Sequence, residues 1–120
     1  MKKVSIRLPQ NQIEICKACP VADTSWSRLV GLLRHEKLSQ GEGLLIVPCS
    51  QVHTIFMKFS IDAIFLNSEN IVLAAHTLKP WRVSPLYFGA KKVLELPQGS
   101  IQQYAIKKGA ALEVNLCSAS

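Results

Sequence analysis

Apolar and polar residues alternate over residues 4–8 (VSIRL) and again over 12–16 (QIEIC), with Pro9, Gln10 and Asn11 between them. A period of two on either side of turn chemistry predicts an N-terminal antiparallel hairpin with one wet face. Beyond residues 17–23 the period lengthens. Trp26, Leu29, Val30 and Leu33 recur at three-to-four spacing behind Thr24 or Ser25, either of which can cap a helix. An amphipathic helix of about two to three turns is expected there, although Gly31 in its middle costs roughly 1 kcal/mol against alanine. Residues 39–43 (SQGEG) read as a loop, and 43–47 (GLLIV) as a short apolar strand stopped by Pro48.

Residues 52–66 can supply two strands with a kink near Lys58, and 67–70 (NSEN) form a turn before the apolar run 71–78. The arms 61–66 and 71–78 therefore predict a central hairpin buried on both faces for much of its length. Residues 79–90 (KPWRVSPLYFGA) break the pattern. Pro80, Pro85 and Gly89 forbid a regular element, while Trp81, Tyr87 and Phe88 make a packed loop that can serve as a lid. Residues 92–96 (KVLEL) alternate as a strand. Gly99 and Ser100 open a short helix with Ile101, Tyr104 and Ala105 on one face and Gly109 at its end, and 111–116 form the last strand. About seven strands and two short helices, without strand–helix alternation, predict a mainly β (α+β) fold. It is a small, mostly antiparallel β-barrel or sandwich built as a single domain over residues 1–120.

Composition narrows the class further. An apolar fraction of 48% and a charged fraction of 18% are those of a globular chain, far from a disordered one. Met1, Lys2 and Lys3 resemble the start of an export signal, yet no apolar stretch follows. The longest apolar runs, such as 71–75, are far shorter than the ~20 residues of a membrane helix. A cytoplasmic location without a membrane segment is expected, with the four cysteines as thiols or ligands rather than disulfides. The net charge of +6 is scattered in pairs such as Lys91-Lys92 and Lys107-Lys108, which fits a solvated surface and argues against nucleic acid as a partner. No phosphate loop, nucleophile elbow, H-E-x-x-H or calcium loop is present, so the enzyme classes that announce themselves locally are disfavoured and no cofactor is expected.

The chemistry concentrates in residues 48–66, PCSQVHTIFMKFSIDAIFL. By strand parity Asp62 shares a face with Ser60, Ile64 and Leu66 and opposes Phe59, Ile61, Ala63 and Phe65, so neither face looks wet. Such a carboxylate needs a cationic or backbone partner. It is a candidate acid or base, or a strut that holds a loop or pairs with Lys58 or Arg82. Cys49 and His53 form C-x3-H, in which an imidazole can activate a thiol, with Asp62 or Asn70 available to orient it. Cys16 and Cys19 form C-x2-C and, with Cys49 and His53, a four-ligand set of zinc type. Against that stand the long gap between the pairs and a domain size that needs no metal. Trp81 and Arg82, with Tyr87, can stack on and pair with a planar or anionic ligand, or the loop aromatics can simply plug the open end of the barrel. His76 reads as a core or edge histidine with its own partner.

Residues 28–34 (RLVGLLR), then GEGLLIVPCSQVHTIFMKFSIDAIFL, KPWR, VLELPQG and KKG, in that order, resemble the DUF192 family of small bacterial and archaeal proteins, whose function is unassigned. The resemblance covers Arg28 to about Val114. It implies a compact mainly β domain with a short helix near the front. The family's W-M-K core corresponds to Met57 and Lys58, its I-D pair to Ile61 and Asp62, and its V-L-E-L-P-x-G block to residues 93–99. Phe56 stands where many relatives carry tryptophan and Phe59 where many carry asparagine. The P-C-x-x-x-H-T form of residues 48–54 resembles one branch of the family, and Cys16 and Cys19 match nothing in it.

The expectation that follows is a non-enzymatic or accessory domain. It binds a small-molecule ligand or a protein segment at the mouth of a β-barrel, using Cys49, His53, Lys58, Asp62, Trp81 and Arg82. The alternatives are a thiol-dependent enzyme with Cys49, His53 and Asp62 as catalytic candidates, and a zinc-binding module.

Overall fold

The structure is a computed structural model that describes residues 2–22, 38–55 and 57–117. The helix expected over 24–33 and Phe56 lie outside the described residues. Seven strands, β1 (Lys3–Leu8), β2 (Ile13–Ala22), β3 (Leu44–Ile46), β4 (Ile61–Leu66), β5 (Val72–Leu78), β6 (Lys92–Pro97) and β7 (Glu113–Leu116), form one sheet, and a helical turn α1 (Ser100–Gln103) follows β6. The strand order is β5-β4-β6-β3-β2-β1-β7. All the pairings are antiparallel except that of β2 with β3, so the mainly β, mostly antiparallel class is as the residue pattern predicts. The sheet is not closed into a barrel. Its two edges nevertheless approach, because the chain ahead of β7 reaches β5 through the Ile71–Ala111 bridge and a 2.8 Å bond from the Val72 N–H to the Ala110 carbonyl.

Two apolar layers lie on the faces of this sheet. Along β4, Ile64 and Leu66 enter one layer with Ile6, Leu94 and Leu96, whereas Ile61, Ala63 and Phe65 enter the other with Ile46 and Val93. All six residues of β4 are buried, as expected of a strand with neighbours on both sides. β5 pairs only with β4 and is half-buried over most of its length, so the expected central hairpin lies at the edge of the sheet and is buried on both faces only in its β4 arm.

Three elements differ from the sequence pattern, each for a local reason. β2 runs to Ala22 rather than ending near Cys16, because a bulge restores its pairing with β1. Val4 faces Cys19 and Ile6 faces Cys16, so two steps on β1 span three on β2. The bulge turns Lys17 and Ala18 outward and carries both Cys16 and Cys19 into the Ile64 layer, although regular alternation would put them on opposite faces. Residues 52–66 supply only one strand. Their first part is a single bridge, His53 to Val83, because its backbone pairs with the irregular 81–87 segment instead of joining the sheet. Finally, α1 stops at Gln103 instead of running on to Gly109. The Ala105 N–H bonds the Gln102 carbonyl and the Ile106 N–H bonds the Ile101 carbonyl, 3.0 Å, while Ala105 sits at φ 52. That is a Schellman stop with alanine in the left-handed position usually held by glycine. Ile106 is thereby delivered into the Ile64 layer beside Ile101, which offsets the strain.

Gly43 is a close-approach position. A Cβ there would lie 2.8 Å from the Glu95 carbonyl oxygen and 3.1 Å from the Cys16 Sγ. Only glycine lets the chain enter β3 between β2 and β6. Among the described residues no helix is long and apolar enough to cross a membrane.

Candidate functional site

Asp62 is fully buried and satisfied from three sides. Its Oδ1 accepts from the Thr77 hydroxyl at 2.7 Å, and its Oδ2 accepts from the backbone N–H groups of Ile101 at 2.8 Å and Gly99 at 3.1 Å. Gly99, at the N-cap of α1, has no side chain to accept these amides. The neighbouring strand therefore provides the capping carboxylate. Among the described residues its donors are one hydroxyl and two amides, with neither Lys58 nor Arg82 among them. The I-D pair and the P-Q-G block are thus joined by contact, and Asp62 lies on the Ile64 side of the sheet.

Four of the other sequence candidates lie along one ribbon without forming one cluster, Cys49 at the end where Ser50 meets Tyr87 and Trp81 and Arg82 at the end where they meet Thr54, with His53 between. The 50–54 segment runs antiparallel to 81–87: the Ser84 N–H bonds the Val52 carbonyl at 2.8 Å, the Thr54 N–H bonds the Arg82 carbonyl at 2.8 Å, and the Tyr87 N–H bonds the Ser50 carbonyl at 3.1 Å. Cys49 precedes this ribbon, His53 faces Val83 within it, and Trp81 and Arg82 begin its second arm. The Cys49 thiol donates to the Gln51 carbonyl at 3.1 Å. Lys58 is exposed in the connection to β4.

The ribbon is tied by two buried hydroxyl residues that sequence reasoning passed over. Thr54 Oγ1 accepts the Arg82 N–H at 2.8 Å and donates to the Lys79 carbonyl, and the Thr54 carbonyl accepts the Trp81 N–H at 2.9 Å. Ser84 Oγ accepts the Val52 N–H at 3.0 Å and donates to the Pro85 carbonyl at 2.9 Å. The available signal was a small hydroxyl residue flanked by apolar ones, at Val52-His53-Thr54-Ile55 and again at Val83-Ser84. This knot holds Trp81 at φ 64, a left-handed conformation that a bulky side chain rarely adopts. Trp81 is 58% exposed, and Val83, Leu86 and Phe88, the last 91% exposed, extend the apolar display along the same arm. Only Tyr87 turns inward, packing on Phe65 and hydrogen-bonding His76 of β5, so the aromatics do not plug the sheet as a group.

A second buried acid was also missed. Glu95 is fully buried on β6, opposite Ala63 and Leu44, and on the Phe65 face it falls in one row with His76. The alternation K-V-L-E-L held the clue, since it sets Glu95 in step with Val93 and against Leu94 and Leu96, leaving no wet face for the charge. The four residues considered for zinc are divided between the layers, with Cys16 and Cys19 in the Ile64 layer and Cys49 against the Phe65 layer. No group of three or more histidine, cysteine or acidic side chains placed to hold a metal ion occurs among the described residues. The Cys19 thiol is held far above its ordinary ionisation range, first by its hydrogen bond with Cys16 and then by burial.

Fold and site together define a small, mainly β, mostly antiparallel domain whose buried Asp62 is held by Thr77, Gly99 and Ile101 and whose ribbon exposes Trp81, Val83, Leu86 and Phe88. The chain belongs to the DUF192 family, described as an uncharacterised group, whose model matches residues 7–114. A UPF0127 protein of Pyrococcus furiosus is 41% identical over 66 residues, covering 55% of this chain and 57% of the relative. Another, of Thermococcus sibiricus, is 34% identical over 86 residues, covering 68% and 55%. The chain spans little more than half the length of these relatives. Two crystal structures share the fold. One, from Sinorhizobium meliloti and provisionally named a transcription regulator, has a TM-score of 0.75 at 18% identity, covering 94% of this chain and 92% of that one. The other, a protein of unknown function from Novosphingobium aromaticivorans, has a TM-score of 0.69 at 19% identity, covering 92% and 83%.

Proposed function

We propose that this protein is a non-enzymatic, accessory binding domain that engages a segment of a partner protein through the ribbon of residues 50–54 and 81–88. The observation that carries this reading is the outward display of Trp81, Val83, Leu86 and Phe88 from an arm whose backbone is hydrogen-bonded at residues 81, 82, 84 and 87. Contiguous exposed apolar residues mark interaction surfaces. Aromatics on a rigid backbone give contact area at little cost in conformational entropy. Arg82, exposed between Trp81 and Val83, supplies a cation for an acidic neighbour on the partner. The left-handed Trp81 adds support, because strain at an exposed tryptophan is retained where the orientation of the ring matters. The name of the Sinorhizobium meliloti structure does not extend to this chain, whose basic residues are scattered and whose identity to that protein is 18%.

Photo-crosslinking in the cells the protein comes from tests the reading. Benzoylphenylalanine placed at Phe88 should capture one defined protein. The same group at Gln10, in the exposed turn between β1 and β2, should not, and Trp81→Gly should abolish the capture. Equal capture from both positions, or capture that survives Trp81→Gly, overturns it.

A further inference from the structure

On the other side of the sheet, away from the ribbon, the Ile64 layer is open at one end. A cleft of about 600 Å³ is bordered there by Val4, Val21, Leu45, Val47 and Val114, with Lys2 and Lys92 at its rim. We propose that this cleft binds a soluble amphiphilic anion of the fatty-acid type, its alkyl chain among the aliphatic side chains and its carboxylate between the two lysines.

The walls argue for an alkyl chain. Val4 and Leu45 belong to the buried core, while Val21, Val47 and Val114 pack against that core and are only partly covered. The five make an aliphatic trough, and among the described residues that line it there is no aromatic ring to stack on a base and no hydroxyl side chain to read a sugar. The volume falls within the range of about 300–1,000 Å³ common to small-molecule sites. The charge of the rim selects the head group. Among the described residues that line the cleft, the two ionisable ones are both lysines. They are positioned by the fold: the Lys2 carbonyl accepts the Val21 N–H at 2.8 Å, and the Lys92 ammonium donates to Asn70 Oδ1 at 2.6 Å. An ammonium has three donors, so Lys92 keeps donors for an anion while Asn70 holds it at the edge of the trough.

Titration of the protein with decanoate below its micellar range, followed by amide and methyl NMR shifts, tests the proposal. Saturable shifts are expected at Val21, Leu45, Val47 and Val114. Decanol, which has the chain without the charge, and decyltrimethylammonium, with the opposite charge, should bind about tenfold more weakly or worse. Lys2→Glu, an exposed change that spares the core, should weaken decanoate by a similar factor. Val47→Trp should fill the trough and abolish binding, with folding checked by circular dichroism. Phosphatidylglycerol vesicles distinguish a free acid from a membrane lipid, and flotation with vesicles without decanoate binding overturns the proposal. So do shifts confined to other regions, or equal binding of the three ligands. Trp81→Gly should leave the titration unchanged, so failure here and failure of the ribbon reading are separable.

Discussion

Asp62 and the ribbon treat polarity in opposite ways. Around Asp62 a charge is taken fully inside and surrounded by Thr77, Gly99 and Ile101. In the ribbon the backbone is satisfied by Thr54 and Ser84, and it is the apolar side chains that are left outside. A buried carboxylate with three donors ties β4 to β5 and to the start of α1. The exposed row of Val83, Leu86 and Phe88 keeps apolar surface in water. The first arrangement joins three elements of the fold, and the second is the surface through which we propose that a partner is met.

Substitutions can break this contrast, and the largest effect is expected at Asp62. Asp62→Ala removes the acceptor and leaves two buried amides unpaired, so a loss of about 3–5 kcal/mol is predicted. Because single domains are stable by only about 5–15 kcal/mol, the variant should be read by chemical denaturation at low temperature. Gly43→Ala comes next. Its Cβ would meet backbone at 2.8 Å, and overpacking of that kind costs roughly 1–3 kcal/mol, measurable as a lower urea midpoint with an unchanged slope.

Two smaller effects sharpen the account. Ala105→Gly relieves the left-handed position that ends α1 and should stabilise by about 0.5–1 kcal/mol, seen as a raised melting temperature. Iodoacetamide should label Cys49 and Cys117 in the native protein but reach Cys16 and Cys19 only after unfolding, as mass spectrometry would show, since the latter two are fully buried. Cys19 has its folded-state ionisation raised. Its contribution to stability is therefore complete below the unfolded thiol's value of about 8.5 and declines as pH rises above it. Cys19→Ala should flatten the fall in melting temperature between neutral and alkaline pH.

Much of the fold was legible because period-two patterning survives where a strand has one wet face, as in β1, and a short continuous apolar run marks one buried on both, as in β4. The parity of Asp62 was readable for the same reason. What the pattern hides is geometry fixed by partners distant in sequence. The bulge that aligns Cys16 with Cys19 depends on β1. The partner of Asp62 is an amide 39 residues away. The company of His53 with Val83 arises because a segment with a strand pattern pairs with the irregular 81–87 loop instead of with the sheet. Exposure of Phe88 is equally invisible in a loop whose aromatics serve as well for a plug as for a display.

Urea unfolding of two variants side by side tests the contrast most directly. Asp62→Asn, which keeps the shape of the carboxylate but loses its charge-assisted bonds, should lose about 2–3 kcal/mol, whereas the triple variant Trp81→Gly, Leu86→Ser and Phe88→Ser should stay within about 1 kcal/mol of the parent. The reverse order, a neutral Asp62→Asn and a strongly destabilised ribbon variant, would contradict the account. It would make the ribbon a structural plug and leave the carboxylate free for chemistry.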